Sequence, residues 1–305
     1  MPRDGAPAIR LEGLGKRYAR VTALTDVSLV VRSGEVFGFL GPNGAGKTTT
    51  IRILLDLVRP TTGRAFVFDA DCHTHGLEVR AQIGYLPGEL EFYGDMTGEA
   101  VLNFLGRLNA SRIDASCRRG LLDRLELASA DLRRKLREYS TGMKRKLGIV
   151  QAFQSEAPLL ILDEPTEGLD PLMQEAVYEL LAEMRRRGRT VFMSSHVLPE
   201  VERVCDRIAL LRRGSLVLVS SIGEVRRLAA RRVRVVFGEN VAHPAAWPDG
   251  CEAIELTSRI WTLRVHGPLG PVISSIASLP VDDIDVQEPH LEEVLKRYYT
   301  DETVS

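Results

Sequence analysis

The sequence predicts an α/β fold in which mainly parallel strands form the core of a larger domain, followed by a smaller α+β domain. Residues 36–40 form a short apolar run that ends in a glycine-rich turn, and apolar residues at helical spacing come next. Residues 158–162 form a second apolar run, which suits a strand buried on both faces of a parallel sheet. Residues 232–237 and 260–265 instead alternate between apolar and polar side chains, as half-buried strands do.

The glycine-rich turn is predicted to bind phosphate. Residues 41–48 read GPNGAGKT and fit the pattern G-x-x-x-x-G-K-[ST]. Backbone N–H groups of such a loop point at an anion, and the dipole of the following helix adds positive potential. Lys47 would reach the β- and γ-phosphates of a nucleoside triphosphate, and the Thr48 hydroxyl would ligate Mg²⁺. The alternative is a glycine turn that merely joins a strand to a helix. The predicted nucleotide-binding residues in this loop are Gly41, Pro42, Asn43, Gly44, Ala45, Gly46, Lys47, Thr48 and Thr49.

Two carboxylates follow the second apolar run, at the strand end where α/β sheets place their ligands. Asp163 would hold Mg²⁺, directly or through water, and Glu164 would polarise the attacking water as a general base. A structural alternative exists, because Asp-Glu-Pro also forms a turn at the entry to a helix. The phosphate-binding loop upstream favours the catalytic interpretation.

Three further motifs occur in a defined order. Residues 139–143 read YSTGM and begin a helical pattern, residues 168–171 read GLDP, and residues 194–196 read SSH. Together with the phosphate-binding loop and Asp163-Glu164, their order and spacing resemble those of the ATP-binding cassette (ABC) ATPases over residues 8–215. A single Ser-x-Gly would carry no such meaning, because it is also an ordinary helix cap.

The resemblance implies a P-loop NTPase cassette with a mixed or parallel sheet core. The cassette would occupy residues 1–218, with short strands in residues 8–87 and a helical subdomain at about 89–157. Residues 219–305 would form the accessory α+β domain, with helices near residues 270–277 and at 291–299. The bound cofactors would be ATP and Mg²⁺.

The resemblance also implies a composite site in which two subunits hold two ATP molecules head to tail. Ser140 and Gly142 would face the γ-phosphate bound by the opposite subunit, through a hydroxyl, a backbone N–H and the helix dipole. Asp170 would cross the interface and couple the two sites. Both halves of the site occur in this chain, so a homodimer is expected, while a paralogous partner is not excluded.

Two more residues take roles from the family. His196 would contact the γ-phosphate and help to position the water, and Tyr18 would stack on adenine. Without the family, His196 is better explained as a strand-end histidine that caps the next helix. For Tyr18 the competing explanation is an exposed tyrosine on a strand.

The chain departs from the family pattern at two places. Gly88 stands where the family carries a glutamine that touches Mg²⁺ and links the nucleotide site to the membrane partner, and our hypothesis is that Glu89 or water fills the gap. Tyr139, Thr141 and Met143 replace the usual Leu, Gly and Gln of the signature. Because Ser140 and Gly142 are kept, we expect an active but slow ATPase.

Composition limits the partners and the location. The chain has 40 basic and 41 acidic residues, so no overall field favours nucleic acid. No apolar run approaches the roughly 18 residues needed to span a bilayer. The four cysteines lack metal-site spacing, and reduced thiols are expected. We therefore expect a cytoplasmic protein, and the resemblance to the ABC ATPases implies that it binds peripherally to the inner face of the cell membrane.

The last motif concerns transport. Residues 289–299 read PHLEEVLKRYY and resemble the C-terminal end of ATPase subunits from bacterial multidrug, lipid and polysaccharide exporters. The predicted function is therefore the ATP-hydrolysing subunit of an ABC exporter, whose integral-membrane permease is a separate polypeptide. The alternative is a soluble ABC-type ATPase in DNA maintenance or translation. Proteins of that class usually contain a long coiled-coil insertion or two cassettes, and this sequence has neither an inserted heptad array nor a second phosphate-binding loop.

Overall fold

The chain divides into two compact units, Met1–Val219 and Ser220–Ser305. Its strands up to residue 221 are β1 (Ile9–Tyr18), β2 (Val21–Val31), β3 (Val36–Leu40), β4 (Thr62–Val67), β5 (Ala70–Asp71), β6 (Ile83–Leu86), β7 (Leu159–Asp163), β8 (Thr190–Ser195), β9 (Arg207–Arg212) and β10 (Ser215–Ser221). The helices of the first unit are α1 (Lys47–Leu54), α2 (Gly76–Ala81), α3 (Gly98–Leu108), α4 (Ala115–Arg124), α5 (Ser129–Leu132), α6 (Thr141–Phe153), α7 (Pro171–Arg186) and α8 (Leu198–Val204). The computed structural model describes residues 7–108, 115–228, 230–244 and 246–287.

A six-stranded sheet in the order β10-β9-β3-β8-β7-β6 carries the site. The strands β3, β8 and β7 are adjacent and parallel, and every residue in them is buried. Burial on both faces explains the continuous apolar runs in the sequence. The strands predicted at 36–40 and 158–162 are confirmed, and the predicted α/β class is confirmed with them. Because the strands are parallel, their carboxyl ends lie along one edge.

A second, antiparallel sheet has the order β2-β1-β4-β5. Its first two strands form a hairpin of 10 and 11 residues, longer than the short strands expected from the sequence. Register shifts between Leu11 and Leu14 and between Leu14 and Lys16 interrupt the alternation of the first strand. A bulge of this kind places an extra residue in one strand, and it therefore hides a long strand from a pattern search with a period of two.

The described part of the segment between β6 and β7 has no helix in residues 87–97 and is mainly helical from Gly98 onward. It contains α3 to α6 and a short 3₁₀ helix, Leu136–Glu138. The helix α6 begins after Ser140, whose hydroxyl accepts a hydrogen bond from the N–H of Met143 at 3.2 Å. This side chain satisfies one of the free N–H groups of the first helical turn.

The second unit has its own sheet and core. Its elements are α9 (Ile222–Leu228), β11 (Arg231–Phe237), β12 (Cys251–Leu256), β13 (Ile260–Val265), α10 (Gly270–Ile276) and β14 (Val281–Gln287). The strands form an antiparallel sheet in the order β12-β13-β11-β14, and Trp261 packs edge-on against both Phe237 and Trp247. The predicted strands at 232–237 and 260–265 are confirmed, as is the helix near 270. The helix predicted at 291–299 lies outside the described residues.

Among the helices that the structure describes, none has the length and the apolar character needed to cross a membrane.

Candidate functional site

The phosphate-binding loop connects β3 to α1. Gly46 has φ 112° and precedes the first residue of the helix, and a Cβ at this position would come within 2.6 Å of the Ala23 carbonyl oxygen. Glycine is therefore required by both conformation and space. The Lys47 ammonium donates a hydrogen bond to the Gly41 carbonyl at 2.7 Å and is almost fully buried. This contact holds the only charged side chain of the loop against its backbone.

A cavity of about 1010 Å³ opens beside this loop. Its size is that of a pocket for a ligand as large as a nucleotide. Its walls include most of the predicted nucleotide-binding loop and both predicted catalytic carboxylates, namely Pro42, Asn43, Gly44, Ala45, Gly46, Lys47, Thr48, Thr49, Asp163 and Glu164. The structure thus brings together two parts of the site that are more than a hundred residues apart in the sequence.

Asp163 ends β7 inside this cavity and is 2% exposed. Its Oδ2 accepts a hydrogen bond from the Thr48 hydroxyl at 3.0 Å, and its Oδ1 accepts one from the Ser194 hydroxyl. A carboxylate and a hydroxyl in contact are the hard oxygen donors that Mg²⁺ prefers, and Mg²⁺ usually completes its shell with phosphate oxygens and water. Thr48 and Asp163 therefore fit the predicted metal.

Glu164 follows and directs its carboxylate between two basic groups. Its Oε1 lies 3.3 Å from the Lys47 ammonium, and its Oε2 lies 2.8 Å from Nδ1 of His196. Its backbone has φ 52°, a left-handed conformation that is uncommon for a residue with a Cβ. The N–H of Glu164 donates to the Ser194 hydroxyl at 3.1 Å. Both ends of this residue are thus held by neighbours.

His196 does not act as a helix cap. The next helix, α8, has Val197 at its N-cap, and no side chain caps it. The imidazole contacts Glu164 instead. The structural alternative weighed from the sequence is therefore wrong, while the role of His196 in catalysis stays a prediction.

Ser140, Gly142 and Asp170 lie outside the lining of the cavity among the described residues. Asp170 caps α7, since its Oδ1 accepts a hydrogen bond from the N–H of Met173 at 3.0 Å. Gly142 lies beside the glycine that precedes this cap, because a Cβ built on Gly142 would be 3.5 Å from the carbonyl oxygen of Gly168. The signature and the GLDP motif are therefore neighbours, apart from the phosphate-binding loop of the same chain.

Tyr18 ends β1, is 42% exposed and does not line the described cavity. The Lys16 ammonium lies 4.8 Å from the centre of its ring. The exposed face fits either explanation of this residue, and adenine stacking stays a prediction.

Gly88 lies against Asp163, the predicted metal ligand. A Cβ on Gly88 would be 3.3 Å from Oδ2 of Asp163, and Glu89 lines the same cavity. The side chain of a longer residue at position 88 would therefore begin close to Asp163. This is the place that the resemblance implies for the glutamine. Glu89 is in the right cavity to replace it, and its role stays a hypothesis.

Two contributors to the site were not assigned from the sequence. Ser194 binds Asp163 and Glu164, and the signal for it was the SSH motif, from which only the histidine received a role. Tyr85 lines the cavity, and burial together with the charge of Asp163 raises the pKa of its hydroxyl to about 12. It lies on β6, and no motif marks it.

The geometry defines a P-loop nucleotide-binding site, and comparisons with known proteins identify its family. The family described as ABC transporter matches residues 24–167. Daunorubicin resistance ATP-binding protein DrrA3 of Streptomyces coeruleorubidus is 32% identical over 299 residues, which cover 94% of each chain. The chain belongs to the ABC transporter ATP-binding proteins, and the resemblance inferred from the motifs is confirmed. It therefore carries an ABC ATPase domain.

Two other proteins define how far the similarity reaches. The uncharacterized ABC transporter ATP-binding protein sll0415 of Synechocystis sp. is 38% identical over 214 residues, which cover 68% of this chain and 58% of that relative. This chain thus matches little more than half of that protein. A solved ATP-binding subunit of an ABC transporter superimposes with a TM-score of 0.67 at 31% identity, over 72% of this chain and 92% of the other.

Proposed function

We propose that this chain is the ATP-hydrolysing subunit of an ABC exporter and that it energises a separate permease through ATP-driven dimerisation. The observation that carries the proposal is the meeting of Lys47, Thr48, Asp163 and Glu164 around one cavity, with His196 in contact with Glu164. A cation for the phosphates, oxygen ligands for Mg²⁺ and a group that positions or deprotonates the attacking water are the recurring parts of phosphoryl transfer to water.

Each side chain has a separate task in the proposed hydrolysis. Lys47 and the loop N–H groups bind the β- and γ-phosphates, while Thr48 and Asp163 hold Mg²⁺. When bound, the metal neutralises charge on the transferring phosphoryl group. Glu164 accepts a proton from the attacking water, and His196 orients the Glu164 carboxylate through its Nδ1 contact.

The proposed dimerisation is supported by the separation of the two halves of the site. Ser140 and Gly142 lie at the start of α6 and do not line the cavity that contains Lys47. A second subunit placed head to tail would bring its Ser140 to the γ-phosphate, and Asp170 would lie at the same interface. ATP then bridges the subunits, and its hydrolysis removes the bridging charge.

The exporter assignment rests on a relative. The protein from Streptomyces coeruleorubidus is named for daunorubicin resistance, and its similarity extends over 94% of this chain. This similarity favours transport over the alternative, a soluble ABC-type ATPase in DNA maintenance or translation. The permease would lie in the cell membrane, with this chain bound at its inner face.

The test is whether a stalled site accumulates a nucleotide-locked dimer. In Glu164→Gln the base is lost but its shape is kept, so turnover should fall a hundredfold or more while ATP binding persists. Size-exclusion chromatography with light scattering, with ATP and Mg²⁺ present, should show a dimer of this variant. Glu179→Gln, an exposed carboxylate on α7, is the matched control and should turn over ATP like the wild type.

Two outcomes would count against the proposal. Equal turnover in Glu164→Gln and the wild type would remove Glu164 from the mechanism. If the chain stays monomeric under all nucleotide conditions, even with the permease in detergent, the proposed ATP-driven dimerisation is wrong.

A further inference from the structure

Arg145 is a buried cation that takes no part in the steps of the proposed hydrolysis. It lies in the second turn of α6, and it is 3% exposed. Burial lowers the pKa of its guanidinium, although the carboxylates of Glu167, Asp163 and Glu164 act in the opposite direction. An arginine stays charged in proteins, so a buried guanidinium must be satisfied by hydrogen bonds. The acceptors it uses show what it holds in place.

Three of these acceptors are consecutive backbone carbonyls at the end of β7. The guanidinium donates to the carbonyl oxygen of Asp163 at 2.8 Å, to that of Glu164, and to that of Pro165 at 3.3 Å. This stretch contains the predicted metal ligand and the predicted base. Arg145 therefore binds the main chain of the catalytic segment directly.

Two more acceptors lie at the end of the neighbouring strand, β6. The same guanidinium donates to the carbonyl oxygens of Pro87 at 2.8 Å and Gly88 at 3.0 Å. Gly88 has no side chain to reach the site, yet its backbone is tied to the guanidinium that also binds Glu164. The planar fork of arginine, with five N–H donors, is suited to such a set of acceptors, whereas a lysine is not.

We propose that Arg145 is a positioning residue of the ATPase site, which fixes the Glu164 carboxylate toward the attacking water and ties that position to α6. The inference rests on the proposed function, because it concerns the base of the same reaction. Arg145 touches no reacting atom and acts through the main chain of Glu164.

The backbone of Glu164 explains why such a residue is needed. With φ 52°, Glu164 occupies a conformation that its neighbours must impose. Its N–H is held by Ser194, on β8, and its carbonyl is held by Arg145, on α6. The carboxylate of the residue held in this way faces Lys47 and His196.

The position of Arg145 on α6 gives the contact a second consequence. Ser140 caps this helix, and Ser140 is the residue proposed to meet ATP on the opposite subunit. One helix therefore carries the group that meets the partner's ATP and, five residues later, the group that holds this subunit's own base. A shift of α6 on dimer closure would move the main chain of Glu164.

The test compares Arg145→Gln and Arg145→Lys with Arg118→Gln. Arg118 is the matched control, because it is also fixed in the helical segment, by Gln154 and Asn103, but does not contact the catalytic segment. Because misplacing a catalytic group by about 1 Å can cost about a hundredfold, kcat of Arg145→Gln should fall by about that factor. Its Kd for a fluorescent ATP analogue should stay within about twofold, since the loss is confined to the transition state. The kcat of Arg145→Lys should lie between those of Arg145→Gln and the wild type, and the kcat of Arg118→Gln should match the wild type.

A double variant separates positioning from general structural damage. If Arg145 acts through Glu164, adding Arg145→Gln to Glu164→Gln should cause no further loss of kcat. An additive loss, an unchanged kcat in Arg145→Gln, or a parallel loss of ATP binding would overturn the inference. Circular dichroism checks folding. If Arg145→Gln does not fold, the same comparisons of kcat, ATP binding and the double variant are made with Arg145→Lys. A wild-type chain without ATP turnover would instead refute the proposed function.

Discussion

At the scale of single residues, the two adjacent carboxylates differ in what surrounds them. Asp163 accepts hydrogen bonds from Thr48 and Ser194, two hydroxyls that hold its carboxylate in place. Glu164 lies between Lys47 and His196, where its orientation depends on both. Neighbouring carboxylates in different surroundings take different roles in catalysis. The surroundings here support the proposed roles, which are metal binding for Asp163 and base catalysis for Glu164.

The contact between His196 and Glu164 can be tested by replacing the imidazole with an amide. In His196→Asn, the side-chain nitrogen lies near the place of Nδ1, so the contact with Oε2 can persist, whereas His196→Ala removes it. We expect kcat to fall by about a hundredfold in the Ala variant and clearly less in the Asn variant. Steady-state ATPase assays would measure both. Equal losses in the two variants would show that the contact has no part in the function of His196.

The missing glutamine leads to a second prediction at this scale. Glu89 and Glu91 both line the cavity, but Glu89 directly follows Gly88, which lies against Asp163. If Glu89 assists the metal, Glu89→Ala should need more Mg²⁺ for half-maximal turnover, and Glu91→Ala should not. A magnesium titration of ATPase activity distinguishes them. An unchanged Mg²⁺ dependence in Glu89→Ala would leave water as the replacement.

At the scale of elements, the site exists because three parallel strands end side by side. The strand β8 lies between β3 and β7, and Ser194 pairs in register with both Phe39 and Asp163. This register places the Ser194 hydroxyl next to the carboxylate that it binds. The loop after β3 then leads into α1, which begins at Lys47. Strand register thus sets the distances among these side chains.

In the tight turn into α1, we expect the cost of replacing a glycine to depend on the space around its Cβ as well as on its backbone conformation. Gly44 and Gly46 both have positive φ, 78° and 112°, but a Cβ on Gly44 would meet nothing within 4 Å. Gly44→Ala should therefore cost only about 1–2 kcal/mol of unfolding free energy for the left-handed conformation. Gly46→Ala should cost a further 1–3 kcal/mol or so, because its Cβ would overlap the Ala23 carbonyl oxygen. Denaturant unfolding without nucleotide would measure both, and equal losses would contradict the steric argument.

A buried carboxylate links the turn after β7 to the end of β8. Glu200 on α8 accepts hydrogen bonds from the hydroxyls of Thr166, at 2.6 Å, and Ser195, at 3.2 Å. Thr166→Val keeps the shape but removes one donor from a buried charge, so it should cost about 1–3 kcal/mol. Thr166→Ser keeps the hydroxyl and should cost less. The free energies of unfolding compare the two variants, and a Val variant as stable as the Ser variant would show that this hydrogen bond contributes nothing.

At the scale of the whole molecule, the sequence predicted contiguous motifs well and distant contacts poorly. The loop at Lys47 and the strand before Asp163 were predicted because each is a continuous pattern. Arg145 was not assigned a role, because its carbonyl acceptors lie in two other segments of the chain. The strand β14 was not predicted because six of its seven residues are exposed and three are aspartates, which are depleted in strands. Motifs identify the reacting groups, and tertiary packing determines what holds them.

The same separation of motifs leads to a prediction about the dimer as a whole. If each ATP lies between the phosphate-binding loop of one copy and the signature of the other, Lys47→Ala and Ser140→Ala should each be inactive alone. In a mixed dimer, one site combines both defects, and the other combines an intact Lys47 with an intact Ser140. Because a two-fold interface is reciprocal, an equal mixture should recover about a quarter of the wild-type sites.

Complementation of this kind depends on subunit exchange before the sites close. The two variants are mixed without nucleotide, ATP and Mg²⁺ are added, and turnover is compared with that of each variant alone. A site built within one chain would contain a defect in every molecule, so mixing would restore nothing. Recovery in the mixture therefore requires that Ser140 acts on the nucleotide held by the other copy, which is also the arrangement that gives α6 and its Arg145 a role in closure.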